Sequence, residues 1–284
     1  MRMARMKRMN WNRLSRRIVV YTTLTVLAFS FALPFLWMVS TSLKSESEIT
    51  QFPPTLFPHE FRWEIFRRVA AEMPLIRYLR NTVTIASLST VGAILSSALV
   101  GYGFARFRWP GRDVLFFIVL ATMMIPGAVT MVPLYILFRD FGWIDTFLPL
   151  IAPAWLAPPF YTFIMRQHFR TIPLEISDAA RVDGASEIRI FWQVILPLAR
   201  APLAVVAIFQ FFFAWDDFLN PLIYLNDQNK YTLALGIQQF QGGHPSEFAL
   251  LMAASILMIL PPLVVFYFGQ RHLIRGMGFG GLKR

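Results

Sequence analysis

Two groups of residues could carry chemistry in this 284-residue chain, and the first lies between Arg166 and Arg200. Thr171 and Pro173 suit a helix start. Ile176, Ala179 and Ala180 then fall on one helix face, and Glu175 and Asp178, three apart, on another. Asp183–Gly184 interrupts the pattern, because glycine enters the left-handed region at little cost. A second short helix is predicted from about Ala185 to Ile195, before Pro197. Helices lying on a membrane surface usually carry Lys and Arg on their polar face. This segment leads with Glu175 and Asp178, so its acidic, small-residue knob suits insertion into a partner protein better than contact with anionic lipid. The second group is Asp216 and Asp217, adjacent carboxylates in an otherwise apolar run, with Asn220 just beyond.

Neither group makes an enzyme. Cysteine is absent, which removes disulfides, Cys-ligated zinc and iron–sulfur clusters. His59, His168, His244 and His272 all lie outside the apolar runs, and no HExxH pair occurs. No G-x-x-x-x-G-K-[ST] loop occurs either, so the chain is not expected to bind ATP. An intramembrane aspartyl protease needs carboxylates on two helices, whereas Asp216 and Asp217 are neighbours on one. No catalytic residue, metal or cofactor is expected in this chain.

The elements that position these residues are membrane helices. Hydrophobic residues make up 56% of the chain and charged residues 15%, against roughly 25% charged in a globular domain. The mean hydropathy is +0.51. Arg17–Lys44, Arg80–Arg106, Asp113–Arg139, Asp145–Arg166 and Glu247–Arg271 each enclose a charge-free run of about 20 residues or more, enough to cross a bilayer. A sixth run starts after Arg200, meets Asp216 and continues to Asn226. Six spans are predicted, the first (18–40) too long for a cleaved signal sequence. At about 1.5 Å per residue, the two acids lie roughly 22 Å along the fifth span, towards its external end.

Six spans put both termini on one side. That side carries nineteen Lys and Arg and the other eight, which places both termini in the cytoplasm. The formal charge of +11 is thereby explained by topology and anionic lipid, and nucleic acid is not expected as a partner. The layout is a basic N-terminus (1–17), the first span, an external loop (41–80), a core with five spans (81–270) and a cytoplasmic tail (271–284). Pro34, Pro126, Pro133, Pro153, Pro221 and Pro261 interrupt predicted helices, as expected of a transporter with broken spans. Ser89, Ala93, Ser97, Gly101 and Ala105 recur every four residues, a stripe that lets another helix approach closely.

The knob resembles the EAA loop of bacterial ABC importer permeases. Asp178–Ala179–Ala180, Gly184 and Val194–Ile195–Leu196–Pro197 match its spacing, with Asp178 and Val194 standing where Glu and Ile are usual. Thr41–Ser42–Leu43–Lys44, Tyr102–Gly103–Phe104–Ala105–Arg106–Phe107 and Trp215–Asp216–Asp217–Phe218–Leu219–Asn220–Pro221–Leu222 extend the resemblance along the chain, and the tail from Gly276 fits loosely. The match is nearest to the maltose-type second permease of carbohydrate uptake systems. The resemblance implies an all-α, six-span membrane protein with the type I ABC importer permease fold, in the plasma membrane of a bacterium or archaeon. It implies that Glu175, Asp178, Ala179, Ala180, Asp183 and Gly184 couple to a cytoplasmic P-loop ATPase, present in two copies and holding ATP and Mg. It also implies a second, homologous permease as heterodimer partner and an external solute-binding protein.

Sugars or oligosaccharides are the substrates this resemblance favours, with glycerol phosphate esters left open. Asp216, Asp217 and Asn220 are candidates for lining the translocation path. The polar loop Asn226–Gln241, with Gln238, Gln239 and Gln241 ahead of Gly242–Gly243–His244, corresponds as a region to the loop that reaches the binding protein in that family. The alternative is an ion-coupled secondary transporter using Asp216 or Asp217, although no inverted repeat is evident.

Overall fold

A computed structural model describes residues 11–241 and 245–278. Most of the basic N-terminus (1–10), Gly242–Gly243–His244 and the end of the tail (279–284) lie outside the described residues. The chain divides into two compact units. One comprises the segment ending at Val69 with Phe240–Ile256, the other Ala70–Gln239 with the segment from Leu257.

The first unit is led by α1 (Trp11–Thr41), which contains Pro34. From Ile18 to Trp37 its side chains are predominantly apolar and mostly exposed, including Tyr21, Phe29 and Phe31, as expected of a helix that faces lipid. After it the chain turns inward at Thr41, Ser42, Leu43 and Lys44, all buried. Lys44 donates to the Thr55 carbonyl and lies 4.7 Å from the Trp37 ring centroid. Ser45 and Glu48 form a capping box at α2 (Glu46–Thr50). Glu48 also accepts the His59 N–H at 2.7 Å, and this bond holds its carboxyl below the ordinary range. The amphipathic α3 (Glu64–Glu72) buries Ile65 and Val69. The expected external loop 41–80 is therefore partly helical, and the next long helix starts inside it, at Leu75.

The second unit is built on that helix, α4 (Leu75–Arg106), whose 32 residues span roughly 48 Å. The small-residue stripe faces inward: Ser89, Ala93, Ser97 and Gly101 are buried. A Cβ on Gly101 would stand 2.8 Å from Met165 Cβ and 3.0 Å from the Arg166 nitrogen, so this glycine is required by close approach. Met165 and Arg166 belong to α8, and α4 packs mainly against α8 and α12 once the chain has passed through α5 (Arg112–Ala121), α6 (Gly127–Asp140), α7 (Leu148–Ile151), α8 (Pro159–Thr171), α9 (Leu174–Val182), α10 (Glu187–Arg189), α11 (Leu196–Leu198) and α12 (Arg200–Trp215). The core between them contains Tyr102, Met165, Phe169, Ile190, Phe191, Ile195 and Val206.

Beyond α12 follow α13 (Leu219–Tyr224), α14 (Leu233–Ile237) and α15 (Pro245–Gly278). Trp215 is fully buried and donates Nε1–H to the Met258 carbonyl at 3.0 Å. Among the described residues, four helical stretches are long and apolar enough to cross a membrane: Ser15–Thr41, Leu75–Arg106, Leu148–Thr171 and Glu247–Arg271. Six result when two bent pairs each count as one span. The third expected span bends by 99° between Arg112–Met124 and Gly127–Asp140, where Pro126 denies the ladder a donor. The second pair, Glu187–Leu198 and Arg200–Trp215, meets at 80°; its first arm lies in the expected cytoplasmic loop and only its second arm in the fifth expected span.

Candidate functional site

The knob is a short helix closed by a glycine turn. Pro173 precedes α9, while Thr171 instead ends α8, donating Oγ1–H to the His168 carbonyl at 2.7 Å. At the other end Gly184 takes φ +80°. Ala185 N–H donates to Ala180 O at 2.9 Å and Gly184 N–H to Arg181 O at 3.0 Å. This pair of bonds is the Schellman closure, which needs a residue in the left-handed region. A Cβ on Gly184 would meet nothing within 4 Å, so conformation rather than space selects glycine.

Glu175, Asp178, Ala179, Asp183 and Gly184 are exposed, and Ala180 is half-buried. The expected apolar face of Ile176, Ala179 and Ala180 is not the face this chain buries. Ile176 and Ala179 are exposed and Ser177 points inward. Leu174, Val182 and Ile188 are also exposed, Val182 at 88%. The knob thus presents both its acids and its apolar side chains.

Arg181, which the sequence did not single out, organises this surface. It donates from Nη1 to Asp178 Oδ1 at 2.6 Å and from Nε to Glu187 Oε1 at 2.6 Å, bridging the turn. The two carboxylates raise the Arg181 guanidinium further, and Arg181 holds Glu187 below the ordinary carboxylate range. Tyr102, near the end of α4, donates to Glu187 Oε2 at 3.2 Å. The second helix expected from Ala185 to Ile195 is a short α10 capped by Ser186, followed by a π-helical turn, Ile190–Ile195. Leu196 N–H reaches back to Phe191 O, the five-residue reach that defines such a turn. It buries Ile190, Phe191 and Ile195 against the core, with Phe191 5.1 Å from the Tyr102 ring.

The two adjacent acids part company. The helix expected to carry them ends at Trp215, and Asp216 caps it, donating N–H to the Phe212 carbonyl at 3.0 Å. Asp216 is exposed and does not line the neighbouring cavity. Asp217 does. Its Oδ1 accepts the Asn220 N–H at 3.1 Å and its Oδ2 the Asn220 amide at 2.9 Å. Asp217 and Asn220 thus face a cavity of about 500 Å³ together with Gln210, Tyr161, Tyr224 and Phe213. The wall is mostly apolar and aromatic with a few convergent polar groups, the composition of small-molecule sites.

The far end of α4 holds a second network. Arg77 donates to Asn229 Oδ1, and Asn81 Nδ2 donates to the Asn229 and Tyr231 carbonyls at 2.9 and 3.0 Å. Leu233 N–H donates to Thr82 Oγ1 at 2.9 Å. Asp145 adopts φ +59° and donates N–H to the Tyr224 carbonyl at 2.8 Å. Its Oδ1 accepts the N–H groups of Asn226 and Asp227, each at 3.0 Å. The Asp227 N–H, the Lys230 ammonium and the Asn226 N–H hold its carboxyl at about 2. Gln238, Gln239 and Gln241 are exposed beyond this network. Among the described residues no group of three or more His, Asp or Glu could hold a metal.

Residues 90–279 match the family described as binding-protein-dependent transport system inner membrane component. The lactose transport system permease protein LacG of Rhizobium radiobacter is 33% identical over 271 residues, covering 94% of this chain and 96% of that protein. The arabinooligosaccharides transport system permease protein AraQ of Halalkalibacterium halodurans is 33% identical over 260 residues, covering 90% and 93%. A crystal structure of a bacterial ABC transporter that imports the acidic polysaccharide alginate contains a chain with the same fold. Its TM-score is 0.80 at 22% identity, covering 93% of this chain and 98% of that one.

Proposed function

Because the chain belongs to the binding-protein-dependent transport system inner membrane component family, we propose that it forms half of the translocation pathway of an ATP-driven importer for a sugar or oligosaccharide. The relatives that transport lactose and arabinooligosaccharides support that substrate class. The carrying observation is the knob: a rigid glycine-closed helix that leaves Glu175, Asp178 and Val182 exposed at one end of α4. Such a surface suits the groove of a partner protein. In this reading the partner is a cytoplasmic P-loop ATPase, in two copies, which binds ATP and Mg and supplies the free energy. A second, homologous permease completes the pathway, and an external binding protein delivers the solute.

The excess of Lys and Arg supports a cytoplasmic knob and cytoplasmic termini. The Asp145–Lys230 network then faces outward, and the cavity at Asp217 and Asn220 lies on the path. The ion-coupled alternative has no use for an ATPase docking element, and family membership argues against it. Uptake of labelled oligosaccharides into membrane vesicles, with ATP depleted at fixed ion gradients, tests the reading. Uptake should stop; uptake that persists would restore the ion-coupled carrier.

A further inference from the structure

The loop that joins α4 to α5 lies where two expected spans reach the same membrane surface, since one charge-free run ends at Arg106 and the next begins after Asp113. It holds a cavity of about 350 Å³ lined by Arg108, Trp109, Gly111, Arg112, Asp113 and Val114. Asp113 is the acid of this cavity, and its charge is already taken up. Arg112 donates to both carboxylate oxygens at 3.1 Å, and Arg166 adds Nη2–H to Oδ1 at 3.0 Å. Arg112 is also fixed by the Phe107 carbonyl at 3.1 Å. Arg166 is buried, its guanidinium 4.0 Å from the Phe116 ring centroid. Arg108 is exposed, and among the described residues no hydrogen bond or ion pair engages it. The cavity and its support thus set three guanidiniums against one carboxylate, and the unpaired guanidinium lines the cavity.

The surroundings are apolar along one line. Val114, Phe117 and Ile118, spaced i, i+3 and i+4, are exposed in a stripe on α5, while Phe116 turns inward. Val114 belongs to both the stripe and the cavity. Trp109 lies against Phe104, ring centroids 5.6 Å apart, and its Nε1–H has no acceptor among the described residues. Indole rings favour the headgroup level of a bilayer. An unpaired cation, an unused indole donor and an apolar stripe that starts at the same cavity together suit a ligand with an anionic head and an apolar tail.

We propose that this cavity binds the phosphodiester headgroup of an anionic phospholipid, with Arg108 on the phosphate, Trp109 beside the headgroup and an acyl chain along Val114, Phe117 and Ile118. Arginine suits a phosphate because its planar fork matches two of the oxygens at once. Inorganic phosphate shares the head chemistry but leaves the apolar stripe uncovered. A zwitterionic lipid brings its own cation, so the surplus charge at Arg108 stays unanswered. The site is separate from the knob and from the cavity at Asp217. It needs only that the chain spans a membrane and stands whether or not the importer reading does.

The test is photolabelling of the full tagged chain, purified in mild detergent with whatever subunits accompany it. The probe is phosphatidylglycerol carrying a diazirine on its headgroup, and labelled peptides are mapped by mass spectrometry. Label should fall within residues 106–118, and roughly fivefold more of it than from the matching phosphatidylcholine probe. Arg108→Gln should lower that label roughly fivefold and leave label elsewhere on the chain unchanged. Arg108→Lys should keep much of it, because the charge remains. Equal labelling of 106–118 by the two probes, or wild-type labelling in Arg108→Gln, would overturn the proposal. So would label displaced by millimolar inorganic phosphate, which would make this a site for the free anion. An unlabelled 106–118 that instead cross-links to an accompanying subunit would give the surface to a protein and overturn the lipid site. Should Arg108→Gln fail to insert, competition on the wild-type chain still decides. Excess unlabelled phosphatidylglycerol must then chase the label from 106–118 and excess phosphatidylcholine must not; equal chase would overturn the proposal.

Discussion

Lys230 closes on Asp145 from 85 residues away, its Nζ 2.6 Å from Oδ2 and 2.7 Å from the Asp145 carbonyl oxygen. With the N–H groups of Asn226 and Asp227 on Oδ1, the side chain is satisfied by three donors from one short segment. The same residue bonds to Tyr224, whose ring lies against Tyr135 and Phe138 beside the cavity. The latch thus fixes the loop 226–230 against the cavity wall.

Asp145→Asn retains the side-chain size and tolerates φ +59°, but replaces the accepting carboxylate. It should cost about 1.5–3 kcal/mol at neutral pH. The folded-state carboxyl sits at about 2, below the ordinary ~3.9 of an unfolded chain. Its contribution is therefore complete above pH ~4 and is lost as the pH falls towards 2. The gap between wild type and variant in thermal inactivation should shrink over that window; a gap undiminished at pH 2 would refute the ionic latch.

Gly184→Ala should cost about 1 kcal/mol, the price of a Cβ in the left-handed region, because the space around it is open. Gly184→Pro should do far more, since it forbids φ +80° and removes the N–H given to Arg181. Comparing how well the two inserted variants recover the ATPase checks this. Equal recovery would show that turn geometry does not matter to docking.

Two glycines of α4 should respond oppositely. Gly101→Ala forces a Cβ against Met165 and the α8 backbone and should cost about 1–3 kcal/mol. Gly103→Ala meets nothing within 4 Å and should gain up to about 1 kcal/mol of helix propensity. Thermal inactivation of the two single variants in detergent measures both.

Asp217→Ala should abolish uptake while leaving assembly intact, because it removes the partner of Asn220 and a polar group of the cavity. Asp216→Ala should transport close to normally, since Asp216 is exposed and off the cavity wall. Full uptake by the Asp217 variant would remove that residue from the pathway.

Much of this was legible in the sequence because it is local. The four-residue stripe of α4 follows from helical periodicity, and Asp183–Gly184 announces a turn because only certain residues take a positive φ cheaply. The family-like spacing of Asp178–Ala179–Ala180, Gly184 and Pro197 marks the knob in the sequence. What was not legible depends on folding. Arg181 acquires both carboxylates only when the turn brings α9 and α10 together. Asp145 and Lys230, 85 residues apart, meet only once the chain has folded. The chain also ends α12 before Asp216, so hydropathy alone merged two segments and paired two acids that face different surroundings. Pro126 was visible, but the 99° bend it accompanies was not.

The central claim is that the knob docks a P-loop ATPase. A mild-detergent pull-down of the tagged chain from its native membranes, with partners identified by mass spectrometry, tests it most directly. The account predicts recovery of a P-loop ATPase and a second permease, with the ATPase lost from Gly184→Pro while that variant still inserts. Recovery of the chain alone or as a homo-oligomer, under conditions that preserve known complexes, would contradict it.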